Sequence, residues 1–167
     1  MTRVHNFSAG PAALPLSVLE EIKNELPEYG DSGMSVMEMS HRSPAYQAII
    51  DDAEATLRRV MGIPSNYRVL FLQGGATLQF AGIPMNLMRR GRCGHVVTGN
   101  FAKKAWQEAA RYGDARVLAS SEDTHFDRIP ALDAVERACA DDDLDYVYIC
   151  QNNTIFGTQF HTLPNCG

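Results

Sequence analysis

The chain has 167 residues, of which 45% are hydrophobic and 21% charged, and a formal net charge of −5; this composition is typical of a folded globular protein. Acidic and basic residues are mixed along the sequence, which argues against a nucleic-acid-binding surface. The apolar runs are too short to cross a membrane, and residues 1–5 lack an apolar signal core. We therefore expect a cytoplasmic protein that binds neither nucleic acid nor membranes.

The N-terminal segment predicts an irregular start and a first helix. Residues 1–15 are interrupted by glycine and proline and are expected to be irregular. Ser17 followed by Glu20 fits a capping box. The helix that follows has an apolar face and is expected to stop near Gly30.

A second helix is predicted after a loop over residues 30–43 that contains a short ordered piece. Ser43 and Pro44 suit the N-cap and the first position of that helix. Gly62 is expected to close it.

From residue 67 onward, strand-like and helix-like segments alternate, which predicts βαβ units and a mostly parallel sheet, hence an α/β fold. Gly113 is expected to cap the second of the helices. The strand-like segments are residues 69–72, 95–98, 116–119 and 146–150, and the helix-like segments are residues 76–88, 102–112 and 130–140.

Three segments follow the carboxyl ends of these strands, where open α/β sheets bind ligands. They are residues 74–77, 99–101 and 152–154. The glycines of the first segment permit a sharp turn, and Thr77 then lies at a helix N-terminus, which favours an anion such as a phosphate. A nucleotide-binding module is a weaker alternative, because the turn lacks the glycine patterns of the common nucleotide-binding motifs.

Four segments, in their order along the chain, resemble the phosphoserine aminotransferase family of pyridoxal-phosphate (PLP) enzymes, which have fold type I and belong to class V. They are NFSAGPA at residues 6–12, MSHRS at 39–43, LFLQGGATLQF at 70–80 and NNTIFGT at 152–158. The resemblance implies transamination between L-glutamate and a phosphorylated 2-oxo acid, 3-phosphohydroxypyruvate. It also implies a homodimer that acts in serine biosynthesis and, in some bacteria, in pyridoxine biosynthesis.

The resemblance assigns the cofactor to five residues. Gly75, Ala76 and Thr77 are expected to bind the PLP phosphate. The ring of Phe101 is expected to stack on the pyridine ring, and Thr154 is expected to bond near the phenolic oxygen of the cofactor.

The resemblance places the substrates against residues near the N-terminus. Ser8 and Ala9 are expected to line the substrate mouth. Arg42 is expected to bind a glutamate carboxylate through its guanidinium fork, with His41 close to the substrate anions. The histidines form no metal pattern, so no metal site is expected.

Two catalytic groups of the family are expected beyond residue 167: the Schiff-base lysine, and the carboxylate that pairs with the pyridine nitrogen. None of the three lysines, Lys23, Lys103 and Lys104, matches the family lysine. No catalytic residue is therefore assigned to this chain, and we expect it to be inactive alone.

The expected organisation is a partial fold-type-I large domain, truncated before the catalytic lysine. Residues 1–15 would line the substrate mouth, residues 16–167 would form the N-terminal part of the PLP-binding large domain, and a C-terminal remainder would be absent. A non-catalytic binding or assembly fragment and another class V PLP enzyme remain alternatives.

The four cysteines have no close spacing of the kind found in zinc or redox motifs. They are Cys93, Cys139, Cys150 and Cys166. In a cytoplasmic protein, we expect them to be free thiols.

Overall fold

The computed structural model describes residues 3–140 and 144–166. The chain forms two compact units that divide between Phe71 and Leu72. Among the described residues, no helix is long and apolar enough to cross a membrane.

The first unit contains helix α1 (Leu16–Glu25), a short 3₁₀ helix (Val36–Glu38) and helix α2 (Pro44–Met61). Residues 3–15 are irregular, as predicted. The capping box predicted at Ser17 and Glu20 is wrong, because α1 starts one residue before Ser17 and its N-cap, Pro15, has no side-chain hydrogen bond to offer. A capping box instead lies at the 3₁₀ helix. There the Ser35 hydroxyl accepts a hydrogen bond from the Met37 N–H, and the Glu38 carboxylate accepts one from the Ser35 N–H.

Both predicted ends of α2 are confirmed. The Ser43 hydroxyl accepts a hydrogen bond of 3.2 Å from the Tyr46 N–H, and Pro44 takes the first helical position. Gly62 ends the helix in the left-handed conformation, with a φ of 63°, which glycine adopts without a steric penalty.

The strand predicted over residues 69–72 does not form. Leu70, Phe71 and Leu72 are exposed by 71, 56 and 64% of their surface, and no described strand pairs with them. An extended apolar segment becomes a strand only when a neighbour supplies its ladder of hydrogen bonds.

The second unit confirms the predicted parallel α/β sheet. The elements in chain order are α3 (Gly75–Leu87), β1 (Arg92–Val97), α4 (Asn100–Ala109), β2 (Asp114–Ser120), a 3₁₀ helix (Glu122–Thr124), α5 (Asp133–Ala140), β3 (Val147–Ile149), β4 (Asn152–Asn153) and β5 (Thr158–Gln159). Three parallel strands lie in the order β2–β1–β3, and β4 and β5 form a separate antiparallel hairpin.

The prediction that Gly113 caps α4 is wrong. The helix ends at Ala109 and its C-cap is Ala110, in the right-handed helical conformation. Gly113 instead lies in a tight turn, where a Cβ atom would stand 2.6 Å from the carbonyl oxygen of Gly91. Close approach of two backbone segments, and not helix capping, therefore accounts for this glycine.

The hydrophobic core lies on one face of the central strand β1. Val96, Val135 and Phe160 are buried at its centre, and side chains from β2, α5 and β3 pack around them. The small residues Ala102, Ala105 and Ala109 form the buried face of α4. The sheet is thereby covered by helices, and the ends of its strands are left as the edge on which loops can build a site.

The expectation of four free cysteines is wrong for two of them. Cys139 on α5 and Cys166 near the C-terminus form a disulfide between positions 27 residues apart in sequence, with Cα atoms 5.0 Å apart. Cys93 and Cys150 are free. Sequence spacing missed the pair because the two sulfurs meet only through the tertiary fold.

Candidate functional site

The N-terminus of α3 is open to solvent and carries no protein cap. Gly74 and Gly75 both have positive φ angles, of 93° and 60°, so the turn that leads into the helix requires glycine. No side chain caps the helix and its first turn contains no acidic residue. Gly75, Ala76 and Thr77 are all exposed. The unsatisfied N–H groups and the helix dipole at this end suit a phosphate.

A groove of about 520 Å³ leads along α3 and α4 from this helix terminus. Thr77 lies on its α3 side and Lys104 on its α4 side. Arg111 also lines the groove, and its guanidinium pairs with Glu108 at 3.2 Å. The charged side chains that line the groove are thus two cations and the carboxylate of Glu108, which leaves one net positive charge.

Phe101 occupies the first turn of α4, directly after the carboxyl end of β1. The residue is 43% exposed, and the Lys104 ammonium lies 5.6 Å from the centroid of its ring. An exposed aromatic face beside a sheet edge is free to stack on a planar ligand. Trp106, one turn further on, packs instead and donates a 2.9 Å hydrogen bond to the Ala115 carbonyl.

Thr154 lies in the turn between β4 and β5, and it is exposed. The residue before it, Asn153, is buried and donates hydrogen bonds of 3.1 Å to the Thr98 hydroxyl and 3.2 Å to the Thr158 hydroxyl. Because Thr98 directly follows β1, these bonds hold the hairpin that carries Thr154 at the carboxyl end of the central strand.

The predicted cofactor residues thus fall in two contact groups of the second unit. Thr77 shares the α3–α4 groove with Lys104, whose ammonium contacts Phe101. The hairpin with Thr154 is bonded to the end of β1, which leads into α4. Lys104, Thr98 and Asn153 make these connections, and the sequence analysis did not predict a connecting role for any of them.

The four predicted substrate residues lie in the first unit, and all are exposed. The Ser8 N–H donates to the Asn6 side chain at 2.9 Å. Arg42 follows a turn in which its N–H donates to the Ser40 hydroxyl at 3.2 Å, which leaves its guanidinium at the surface. The binding roles of Ser8, Ala9, His41 and Arg42 remain predictions.

A second titratable cluster lies inside the sheet rather than at its edge. His95 is buried and stacks on Tyr148 with ring centroids 5.3 Å apart, and burial lowers its pKa to about 4. Burial also raises the pKa of Tyr148 to about 12 and raises the pKa of Cys93. All three groups are therefore uncharged at neutral pH.

Asp145 holds the other end of β1 in place. Its carboxylate accepts hydrogen bonds from the Arg90 N–H at 2.8 Å and the Arg92 N–H at 3.2 Å. Burial acts to raise its pKa, but these bonds and the Arg90 guanidinium together lower it.

Among residues 3–140 and 144–166, no group of three histidine, cysteine or acidic residues could hold a metal ion.

Comparison with known proteins relates this fold to one family. Residues 4–167 match the family described as aminotransferase class-V. Over 99% of this chain, a phosphoserine aminotransferase of Bacillus anthracis is 54% identical, and one of Listeria innocua is 52% identical.

Solved structures give the same result. A phosphoserine aminotransferase from Bacillus circulans subsp. alkalophilus superposes on 99% of this chain with a TM-score of 0.88 at 44% identity. A PLP-bound phosphoserine aminotransferase from Trichomonas vaginalis superposes on 98% with a TM-score of 0.86 at 35% identity.

The chain spans 45% of the length of the Bacillus anthracis relative and of the Bacillus circulans structure. The likeness therefore concerns about half of each of those proteins. The family match nonetheless covers nearly the whole chain, and the parallel sheet, the glycine turn before α3 and the hairpin after β3 all fall within it. This chain belongs to the aminotransferase class-V family.

Proposed function

We propose that this chain provides the cofactor-binding part of a phosphoserine aminotransferase. The reaction converts 3-phosphohydroxypyruvate and L-glutamate into O-phospho-L-serine and 2-oxoglutarate, a step of serine biosynthesis and, in some bacteria, of pyridoxine biosynthesis. The open, uncapped N-terminus of α3 carries the proposal, because it offers a phosphate site in a chain 54% identical to a phosphoserine aminotransferase.

PLP fits the residues present at the N-terminus of α3, in the first turn of α4 and in the turn between β4 and β5. The backbone N–H groups of Gly75, Ala76 and Thr77, with the Thr77 hydroxyl, would hold its phosphate. The exposed ring of Phe101 would stack on the pyridine ring, and the Thr154 hydroxyl would bond near the phenolic oxygen. When bound, PLP supplies an electron sink for bonds at the amino-acid α-carbon.

The first unit would supply substrate contacts. Arg42 would bind a glutamate carboxylate with two parallel N–H bonds, a geometry that a lysine cannot reproduce. His41 would lie close to the substrate anions, and Ser8 and Ala9 would line the mouth of the site. The surface exposure of all four residues supports such roles, since each is accessible to a ligand.

The lysines favour a chain that binds the cofactor without turnover. Lys103 is paired with Glu122 at 2.5 Å, the Lys104 ammonium lies over Phe101, and Lys23 is in the last turn of α1. We propose that none of them carries the cofactor. This arrangement also supports the second candidate function, a non-catalytic binding or assembly fragment of the family.

The expected homodimer and cytoplasmic location belong to the same proposal and rest on the family resemblance. The homodimer is expected of a full-length enzyme that contains this chain, and sedimentation of such an enzyme tests it. A dimer would support the proposal, and a monomer would contradict it.

Titration of the chain with PLP, followed by cofactor absorbance and tryptophan fluorescence, tests the site. We expect saturable binding, weakened about tenfold by Thr77→Val, which removes one hydrogen bond to a charged group. Thr162→Val alters an exposed threonine after β5 and should leave the affinity unchanged. Equal affinities for all three proteins would exclude Thr77 from the site, and absence of wild-type binding would contradict the cofactor proposal.

Glutamate kinetics test the substrate assignment in an active enzyme that contains this chain. Arg42→Ala should raise the Michaelis constant for glutamate by an amount equivalent to about 2–4 kcal/mol, because a substrate carboxylate loses its charge-assisted partner. Cofactor absorbance should persist. Arg59→Ala, which removes an exposed arginine of α2, is the matched control, and equal kinetics for the two variants would make Arg42 a surface residue only.

A further inference from the structure

We propose that Asn153 is a positioning residue that fixes the distance between Thr154 and Phe101. This inference rests on the proposed function, in which those two residues contact opposite parts of one planar cofactor. Asn153 itself is only 4% exposed, so it acts through its neighbours and does not contact a ligand.

The side-chain amide of Asn153 connects two elements. Its Nδ2 atom donates to the Thr98 hydroxyl at 3.1 Å and to the Thr158 hydroxyl at 3.2 Å, which uses both of its N–H donors. Thr98 is fully buried directly after β1, and Thr158 starts β5. One amide therefore joins the end of the central strand to the far arm of the hairpin.

The carbonyl side of the same amide explains Gly99. This residue has a φ of 168°, an extended conformation open to any residue, so backbone strain does not require glycine here. A Cβ atom at Gly99 would instead lie 2.8 Å from the Asn153 Oδ1 atom and 3.3 Å from the ring of Phe156. The absence of a side chain at Gly99 therefore leaves room for the hairpin.

Gly99 is also the N-cap of α4, whose first turn carries Phe101. Asn153 thus contacts the chain two residues before Phe101 and is itself the residue before Thr154. A shift of this one side chain would move the aromatic face and the threonine hydroxyl relative to each other.

The hairpin is held rigid around this contact. The Gly157 N–H donates to the Asn153 carbonyl at 2.8 Å, and the Phe160 N–H donates to the Gln151 carbonyl at 2.9 Å. Phe156 packs against the buried Phe126 with ring centroids 5.0 Å apart. Loss of the Asn153 amide would leave these contacts in place but remove the hydrogen bond between the hairpin and the residue that follows β1.

The first test compares cofactor affinity among matched variants of the 167-residue chain. Asn153→Ala and Thr98→Val should each weaken PLP binding about tenfold, the effect of one lost hydrogen bond. The double variant should bind no worse than the weaker single variant, because both changes break the same bond. Asn152→Ala changes the exposed neighbour and should bind as wild type.

The outcomes separate the inference from the proposed function. Wild-type affinity in Asn153→Ala and Thr98→Val, or additive losses in the double variant, would overturn the positioning role. A wild-type chain that does not bind PLP would contradict the proposed function, and the second test decides the inference without the cofactor.

The second test follows backbone amide NMR signals of the chain without ligand. Asn153→Ala and Thr98→Val should shift the amide signals of both Phe101 and Thr154, since the contact spans the two segments. A purely local structural role would shift signals within the hairpin and lower thermal stability, but it would leave Phe101 unchanged, and that result would overturn the proposal. Thr98→Val, which preserves side-chain volume, keeps the test valid if Asn153→Ala does not fold.

Discussion

The segment of residues 69–72 (VLFL) is more apolar than the strand β1 (RCGHVV), yet only β1 forms a strand. Strand β1 lies at the centre of the sheet, with five of its six residues buried and parallel partners on both sides. In the other segment Leu70, Phe71 and Leu72 are exposed, and no described strand pairs with it. Apolar side chains make a strand possible, but partner strands decide whether it forms, because only they satisfy its backbone groups.

The largest expected effect separates these two regions directly. Val96→Asp places an unpaired carboxylate in the core and should lower the free energy of unfolding by about 3–5 kcal/mol. Leu70→Asp in the exposed segment should change it by less than about 0.5 kcal/mol. Urea unfolding followed by circular dichroism measures both. A comparable loss for Leu70→Asp would show that residues 69–72 are packed in solution and that the contrast is wrong.

The same contrast explains which features the sequence could predict. Local signals were sufficient for Ser43, Pro44 and Gly62, since capping depends on neighbouring residues alone. Strand–helix alternation was sufficient for the parallel sheet. Pairing across the fold left no local signal, so residues 69–72 were assigned a strand without a partner.

The candidate site shows the same limit. The glycine turn before α3 is a local feature that the sequence indicates, whereas the role expected of Phe101 rests on the family resemblance. The Asn153–Thr98 bond joins residues 55 positions apart, and no spacing rule connects an asparagine in a turn with a threonine after a distant strand. The contacts of Asn153 therefore place it between two elements, a position that no local sequence signal indicates.

Removal of the disulfide should have the next largest effect on the free energy of unfolding, because the bond belongs to the buried unit around β1. The bond ties the C-terminal segment to α5, which packs beneath β1. A disulfide between positions 27 residues apart lowers the entropy of the unfolded chain, which stabilises the fold by about 3–4 kcal/mol. Cys166→Ser changes an exposed position and should lower the free energy of unfolding by that amount.

The control for the disulfide is Cys150→Ser, which alters a free thiol and should cost much less. Dithiothreitol should reduce the stability of the wild type to that of Cys166→Ser and leave the variant unchanged. If reductant has no effect on the wild type, the two cysteines are not bonded in solution.

The pH dependence of unfolding tests how completely β1 is buried. The folded-state pKa of His95 is lowered by burial from 6.5 to about 4. As the pH falls, the His95 ring is therefore protonated at a higher pH in the unfolded chain than in the folded chain. The contribution of the uncharged ring to the free energy of unfolding is fully present above the unfolded pKa and is lost between about pH 6.5 and pH 4. The loss between about pH 7.5 and pH 5 should be about 2 kcal/mol.

His95→Gln should flatten that part of the pH profile measured by urea unfolding. His125→Gln changes an exposed histidine after β2 and should leave the slope as in the wild type. A wild-type profile without a decline between pH 6.5 and pH 4 would show that water reaches the His95 ring.

The smallest expected effect tests whether α3 unfolds together with the sheet around β1 or separately from it. This helix directly follows the exposed segment, yet Phe80 on α3 meets Tyr148 of β3 edge-to-face at 6.4 Å. Gly82 is a helix-interior glycine, and a Cβ atom there would have its nearest neighbour at 3.6 Å, the end of the Gln79 side chain. Gly82→Ala should therefore raise the free energy of unfolding by about 0.5–1 kcal/mol, provided that α3 unfolds together with the sheet. Gly91→Ala, at a φ of 78°, should lower it, which confirms that the measurement resolves changes of this size. No change for Gly82→Ala beside a clear loss for Gly91→Ala would place α3 with residues 69–72, outside the cooperative unit formed around β1.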